Sequence, residues 1–122
     1  MTDYGCSSEL GLDDERQAEW KKQREERGFD STELWNLDVT IARFIVPRLK
    51  LFVESEAGVP GYIDPHNKLK DKGRSKWKKI LKEMLEGFEI IADDESLYDP
   101  IRSKKAEKAV KLLAKHYFAL WN

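Results

Sequence analysis

Apolar residues recur three or four positions apart along most of this 122-residue chain, which is the spacing that places side chains on one face of an α-helix. No segment alternates between apolar and polar residues over a useful length, so the pattern predicts no sheet. The helical segments run near residues 12–28, 30–54, 75–92 and 101–122. The pattern therefore predicts an all-α fold, a compact bundle of three main helices plus a charged N-terminal helix.

The first predicted helix, residues 12–28, is strongly charged and has little apolar surface to bury. Its acidic residues come first and its basic residues follow, which suits the helix dipole, and Gly28 is a favourable residue to end it. We expect this helix to lie on the surface, held by Trp20. It would form part of an N-terminal arm over residues 1–28, beside a helical core domain over residues 29–122.

The second predicted helix is apolar around most of its circumference, over an arc of roughly 240° at 100° per residue. Asp30 and Glu33 have the spacing of a capping box, so we expect the helix to begin at Asp30 and to run to about Glu54. Pro47 lacks a backbone donor and predicts a kink near residues 43–47. The width of the apolar arc predicts that this helix is the central element of the bundle.

Two charged residues, Asp38 and Arg48, lie inside that apolar arc, where burial would require a partner for each charge. They are about 80° apart around the helix and about 15 Å apart along it, so they cannot pair within one straight helix. Asp38 either bonds a neighbouring loop backbone or a Trp indole, or it contacts a ligand or another subunit. Arg48 either covers Phe44 and Phe52 with its stem or meets a phosphate or carboxylate.

The same arc is too wide for the other helices of the chain to cover completely. Two amphipathic helices and one sparse helix leave part of it open, which predicts self-association, most simply as a dimer. If the second helices of two copies pack antiparallel, Asp38 of one copy meets Arg48 of the other. This pairing removes the distance problem that exists within one chain.

The second half of the chain predicts one long loop and two further helices. Residues 55–73 are rich in proline and glycine and predict the loop. Residues 75–92 have apolar positions at a clean i, i+3, i+4 spacing and predict the third helix. The fourth helix is expected to begin near Ile101 and to run to the end of the chain. Its predicted core positions are Ala106, Ala109, Val110, Leu113, Tyr117 and Leu120.

The overall charge and the cysteine content narrow the class of protein. The 22 basic and 23 acidic residues give a net charge of -1, which argues against generic nucleic-acid binding. No run of about 18 apolar residues occurs, so no membrane span is predicted. The single cysteine, Cys6, cannot form an internal disulfide, and the N-terminus lacks the pattern of a signal peptide. These features predict a cytoplasmic protein.

The chain carries no motif for catalysis or for a cofactor. It has no glycine-rich phosphate loop, no Gly-x-Ser-x-Gly sequence and no cysteine–histidine dyad. Glu83, Glu86 and Glu89 lie on the expected solvent face of the third helix and lack a Glu-x-x-His partner motif, so no metal site is predicted. His66 is isolated, and His116 is expected to be a hydrogen-bonded histidine at the edge of the core. We therefore expect neither an enzyme nor a cofactor.

A run of basic residues, 68–79, is the strongest electrostatic feature of the chain. It is typical of a solvated loop and helix face, and it is also compatible with an anion site at a helix N-terminus near Ser75. If the loop over residues 60–73 folds back on the second helix, cationic groups would converge beside Trp35 or Tyr62. The candidate ligand-binding residues are Trp35, Asp38, Arg43, Arg48, Lys50, Arg74 and Lys76.

A motif in the second helix resembles one found in small, uncharacterised bacteriophage proteins. It reads Trp35-x-Leu37-Asp38-x-x-Ile41-Ala42-x-Phe44-Ile45-x-Pro47-Arg48-Leu49-Lys50. Shorter matches follow at Gly58-x-Pro60, at Trp77-x-x-Ile80-Leu81-x-x-Met84-x-x-Gly87-Phe88-Glu89 and at Tyr117-Phe118-x-Leu120-Trp121-Asn122. The resemblance covers roughly residues 29–122. It implies a phage origin and an all-helical fold, and it carries over no functional residue.

Phage accessory proteins of this size often act by binding, which leaves two functional hypotheses. The first is a non-enzymatic accessory protein that binds a host or phage protein in the cytoplasm of the infected bacterium. The alternative is a sponge that sequesters a nucleotide immune signal, with Arg and Lys holding its phosphates and an aromatic ring stacking on its base. The expected partner is thus a protein or a small phosphate-bearing ligand, with a homo-oligomer possible.

Overall fold

The computed structural model describes residues 15–55, 58–63, 71–93 and 99–121, and all regular secondary structure in these ranges is helical. Two 3₁₀ turns, Ser31–Leu34 and Tyr117–Ala119, flank the α-helical core. The result is an all-α bundle of three main helices with a charged N-terminal helix, as predicted. The α-helices are α1 (Gln17–Arg27), α2 (Leu37–Glu54), α3 (Asp71–Ala92) and α4 (Pro100–His116).

The helix at the centre of the bundle is α3. It packs along both α2 and α4, whereas α2 and α4 have few direct contacts with each other. The prediction that the second helix is central is therefore wrong, because α2 buries only one side of its wide apolar arc. The apolar core residues of α3 are Trp77, Leu81, Met84, Phe88 and Ile91. The buried residues of α2 are Val39, Ala42, Leu49 and Val53.

The helices α3 and α4 approach each other closely where Gly87 meets Ala109. A Cβ added to Gly87 would lie 2.2 Å from the Ala109 Cβ and 2.6 Å from the Lys105 carbonyl oxygen. Only glycine permits this distance between the two backbones, since any side chain would overlap α4. On the solvent side of this contact, Lys105 Nζ pairs with Glu86 Oε1 at 2.7 Å.

The charged helix α1 is attached to the segment that precedes α2. Trp20 is 4% exposed and packs edge-on against Trp35, with the ring centroids 5.8 Å apart. Arg24 Nη1 lies 2.6 Å from Oδ2 of Asp30, which is fully buried. Gly28 ends α1 at φ 87° and its N–H donates to the Arg24 carbonyl oxygen. The predictions that Trp20 holds this helix and that Gly28 ends it are confirmed.

The predicted capping box exists, but it begins a 3₁₀ turn rather than α2. The Asp30 carboxylate accepts from the Thr32 N–H at 3.0 Å, and the Glu33 carboxylate accepts from the Asp30 N–H at 2.7 Å. The chain then leaves the helical conformation at Asn36, with φ -131° and ψ 74°, and α2 begins only at Leu37. The box satisfies backbone donors of one turn and does not determine how far that turn continues.

The bounds of the later helices also differ from the predicted ones. Helix α3 begins four residues earlier than expected, so Gly73 lies inside it and is buried. A glycine in a helix interior costs only about 1 kcal/mol relative to alanine, and packing can offset that cost. Helix α4 starts at Pro100, its first turn capped by Asp99, and ends at His116 rather than at the chain end. Residues 56–57 and 64–70 of the predicted loop, with His66, lie outside the described residues.

Candidate functional site

An open apolar groove runs between α2 and α4, with α3 as its floor. It exists because α2 and α4 both pack on α3 and do not close on each other. One part of the groove has a volume of about 510 Å³. Its walls include Phe44 and Phe52 of α2, Leu113 of α4 and Leu120 just after the 3₁₀ turn that follows α4. Its floor includes Met84 of α3. A cleft of this size bounded by three helices is large enough to receive side chains of another molecule.

The groove continues toward the start of α2. A second part, of about 440 Å³, shares Ile41 and Leu113 with the first part, so the two form one continuous surface. Here the floor is Phe88 and Ile91, and Val110 stands on the α4 wall. The groove therefore follows most of the length of α2. It is apolar along its floor, with charged side chains at its rims.

The outer face of α2 extends this apolar surface beyond the groove. Leu37, Ile41, Phe44, Arg48 and Leu51 are spaced four, three, four and three residues apart. The four apolar members are between 47% and 70% exposed. This spacing is the a/d pattern of a helix that packs along another helix. Single exposed apolar residues are ordinary, but a continuous stripe of them marks an interaction surface.

The two charged residues of the apolar arc lie on this exposed side of α2. Asp38 and Arg48 are both exposed, so the expectation of buried charges is wrong. The Arg48 guanidinium lies 3.7 Å from the centroid of the Phe44 ring, and its Nη1 donates to the Phe44 carbonyl oxygen at 2.8 Å. Arg48 therefore covers Phe44 as expected, although with its guanidinium group rather than its stem, and the part of the interpretation that concerns Phe52 stays a prediction. Asp38 lines the second part of the groove and forms no ion pair within the described residues.

The structure separates the cationic residues that were candidates for an anion site. The Nε atom of Arg43 donates to the carbonyl oxygen of Ala92, the last residue of α3, at 3.3 Å. Arg74 and Lys76 lie in the first turns of α3, about 27 Å and about 24 Å from that end at 1.5 Å per residue. These groups therefore do not face a common pocket. The part of the loop that would have folded back, residues 64–70, lies outside the described residues.

The remaining candidate residues have separate surroundings. Trp35 is 52% exposed and packs against Trp20 and the Arg16 guanidinium, which lies 5.6 Å from its ring centroid. Lys50 is exposed on α2. Of the seven candidates, only Asp38 and Arg48 line the groove, in its two connected parts.

A second feature, which is polar, is the pair of Tyr62 and His116 at the C-terminal end of α4. The Tyr62 hydroxyl and His116 Nδ1 are 2.7 Å apart, and the two rings stack at 5.6 Å. Trp77 packs edge-on against His116 at 5.4 Å. Burial lowers the pKa of His116, and the charge of Lys115 lowers it further. His116 is thus the hydrogen-bonded histidine that was predicted.

Sequence reasoning missed the partner of His116. Tyr62 lies 54 residues earlier in a loop, and no spacing rule connects a loop tyrosine to a distant helix. The nearest signal was the run Pro60-Gly61-Tyr62, which indicated an ordered turn but not what the tyrosine contacts. In the structure the Ile63 N–H donates to the Pro60 carbonyl oxygen at 3.0 Å, and this turn carries Tyr62 to α4.

Two negative findings concern the described part of the chain. None of its helices combines the length and the apolar character that crossing a bilayer requires. In the same residues no three or more His, Cys, Asp and Glu side chains gather into a group that could hold a metal ion. In comparisons with known proteins, no protein-family model, no curated protein and no solved structure matches this chain.

Proposed function

We propose that this chain is a non-enzymatic binding protein that receives an α-helix of a partner protein in the groove between α2 and α4. The observation that carries the proposal is the exposed stripe on α2. Four large apolar side chains at coiled-coil spacing are between 47% and 70% exposed on α2, and two of them, Ile41 and Phe44, line the apolar groove. A surface of this kind is recognised by an amphipathic helix through residues at i, i+3, i+4 and i+7.

The geometry of the bundle supports a helix as the occupant. Helices α2 and α4 rest on α3 and leave the fourth position of a four-helix bundle open. A helix placed there would contact both walls and the floor at once. It would cover Ile41 and Phe44 on α2 and Val110 on α4, which are 47%, 51% and 49% exposed.

The resemblance to small phage proteins extends this proposal to a wider biological role. On that basis the protein is an accessory factor of a bacteriophage that binds a host or phage protein in the bacterial cytoplasm. The alternative, sequestration of a nucleotide signal, has weaker support, because Arg43 contacts one end of α3 and Arg74 lies at the other.

Site-specific photo-crosslinking tests the proposal whatever the identity of the partner. A photoreactive phenylalanine analogue replaces Phe44 on one wall or Val110 on the other, in the cells in which the chain naturally occurs. Ile101 serves as the control position, because it is 71% exposed on α4 and lies outside the groove. We expect both groove positions to link to the same segment of one polypeptide, and Ile101 not to link to it.

The crosslinked segment itself is informative. Its sequence should show apolar residues with helical spacing, and adding the substitution Ile41→Glu should abolish both crosslinks. If neither groove position links to any polypeptide, or if the control position links equally well, the groove is not a protein-binding site.

A further inference from the structure

We infer that the helix received by the groove is α2 of a second copy of this chain, packed antiparallel to the first, so that the protein is a symmetric dimer. The inference rests on the proposed role of the groove as a helix-binding site. It names the partner from the pattern of charges and apolar residues on α2 itself.

The exposed face of α2 is self-complementary in charge only when two copies run in opposite directions. Asp38 lies in the first turn of the helix and Arg48 ten residues later, so the stripe has an acidic and a basic end. A parallel pair places like charges beside each other at both ends. An antiparallel pair places Asp38 of each copy beside Arg48 of the other, so the same ion pair forms twice about the two-fold axis.

The apolar side chains fit the same antiparallel register. If Ile41 of one copy packs beside Phe44 of the other, the stripe spacing brings Arg48 beside Leu37, next to Asp38. Leu51 then extends past the start of the opposing α2 toward the 3₁₀ turn Ser31–Leu34, whose Leu34 is also exposed at 55%. One register therefore matches the apolar layers and the charges together, which is the property expected of a surface that binds its own copy.

The groove gives each α2 a second contact in such a dimer. While α2 of the second copy packs along the stripe, it also reaches the opposite wall of the groove at Val110 of α4 and at Tyr117 of the following 3₁₀ turn, which are 49% and 59% exposed. By symmetry, α2 of the first copy lies in the groove of the second copy. Helices α2 and α4 of both copies then form a four-helix bundle. Stable complexes of standard size bury about 800 Å² per partner, and the two stripes and two walls are the surface that such a dimer would bury.

The first test is the mass of the full chain in solution, measured by sedimentation equilibrium over a wide range of concentrations. We expect a dimer of the 14.3 kDa chain. Ile41→Glu and Phe44→Glu should each produce a monomer. Each substitution would bury two carboxylates, one from each copy, in the middle of the interface between the two α2 helices. Both residues are about half exposed in one copy, so circular dichroism should show that the helices remain. Ile101→Glu is the matched control and should leave the dimer unchanged.

The second test uses charge reversal to examine the antiparallel register. Asp38→Arg and Arg48→Asp, each alone, place like charges together at both ends of the seam and should weaken the dimer about tenfold or more. The double variant restores opposite charges at both ends and should recover the dissociation constant of the wild-type chain to within a few fold. Failure of the double variant to recover any affinity would show that these two residues do not meet.

The outcomes separate this inference from the proposed function. A chain that stays monomeric at every concentration, or a dimer that survives Ile41→Glu and Phe44→Glu, overturns the second copy as the occupant. Crosslinks from both groove walls to a different protein would then leave the helix-binding role intact. Crosslinks to residues 34–51 of the chain itself would support the dimer, and the absence of any crosslink would overturn both.

Discussion

Helices α2 and α3 are both amphipathic, and the difference between them shows that the width of an apolar arc does not determine a helix's position in a bundle. Helix α3 has one narrower apolar stripe, yet it packs against two helices. Helix α2 has the wider arc and packs against one. Large side chains such as Trp77 and Met84 allow the single apolar stripe of α3 to pack against both α2 and α4. Gly87 has no side chain and so allows α4 to approach closely. The unused part of the α2 arc remains as an exposed apolar face.

The largest expected effect is on the α3 side of this comparison. Met84 is fully buried beneath the groove, so Met84→Ala should lower the free energy of unfolding by about 2–5 kcal/mol through lost burial and a residual cavity. Urea denaturation followed by circular dichroism measures this. Ile101→Ala, at a side chain that is 71% exposed, should stay within about 0.5 kcal/mol of the wild-type chain. Equal losses for the two variants would mean that α3 is not the core helix.

A somewhat smaller effect is expected at the contact between α3 and α4. Gly87→Ala places a Cβ 2.2 Å from that of Ala109, so the helices must separate, and the free energy of unfolding should fall by about 1–3 kcal/mol. Ala109→Gly in the same chain should recover part of the loss. Gly58→Ala is the matched control because a Cβ there meets nothing within 4 Å. A neutral Gly87→Ala would show that the two backbones are not in contact.

The pH dependence of stability tests the end of α3 that packs on His116. Because the folded chain lowers the pKa of His116 from its ordinary value of 6.5, the unfolded chain binds a proton more readily. The folded chain favours neutral His116, and the stability that this preference contributes is complete above pH 6.5. It is lost as the pH falls below 6.5, because the unfolded chain then takes up the proton first. Thermal unfolding between about pH 7.5 and pH 5.5 should show the decline, and His116→Gln should flatten it. An unchanged slope in that variant would assign the decline to other groups.

The smallest effect is expected for nucleotides. The cationic residues at the start of α3 and on α2 are held apart, so cyclic and linear nucleotides should give no measurable heat in calorimetry at low salt, where ion contacts are strongest. Binding that weakens steeply as salt is added would instead favour the nucleotide hypothesis. Arg74→Ala and Arg43→Ala would then identify which end of α3 holds the phosphates.

The elements of this fold could be predicted well because they depend on local spacing. Trp77, Met84 and Phe88 recur at helical intervals, and Gly28 ends α1 at a positive φ as its position indicated. The capping box at Asp30 and Glu33 was also correct in its contacts. Its extent was not, because side-chain caps satisfy only the first backbone donors of a helix. The start of α3 was missed because Gly73 has low helix propensity but is buried in the fold.

The candidate site shows the same difference between features that depend on local spacing and features that depend on the packing of the helices. The pattern of residues was enough to predict that α2 carries more apolar surface than one chain readily covers, and that Asp38 and Arg48 cannot pair within it. Which part of that surface stays open, which residues form the groove and how far apart Arg43 and Arg74 lie became evident from the packing of the helices. Helical periodicity depends on neighbours three or four residues away, whereas the groove depends on how α2 and α4 both pack on α3. That packing is set by contacts such as Gly87 with Ala109, which no local spacing reveals.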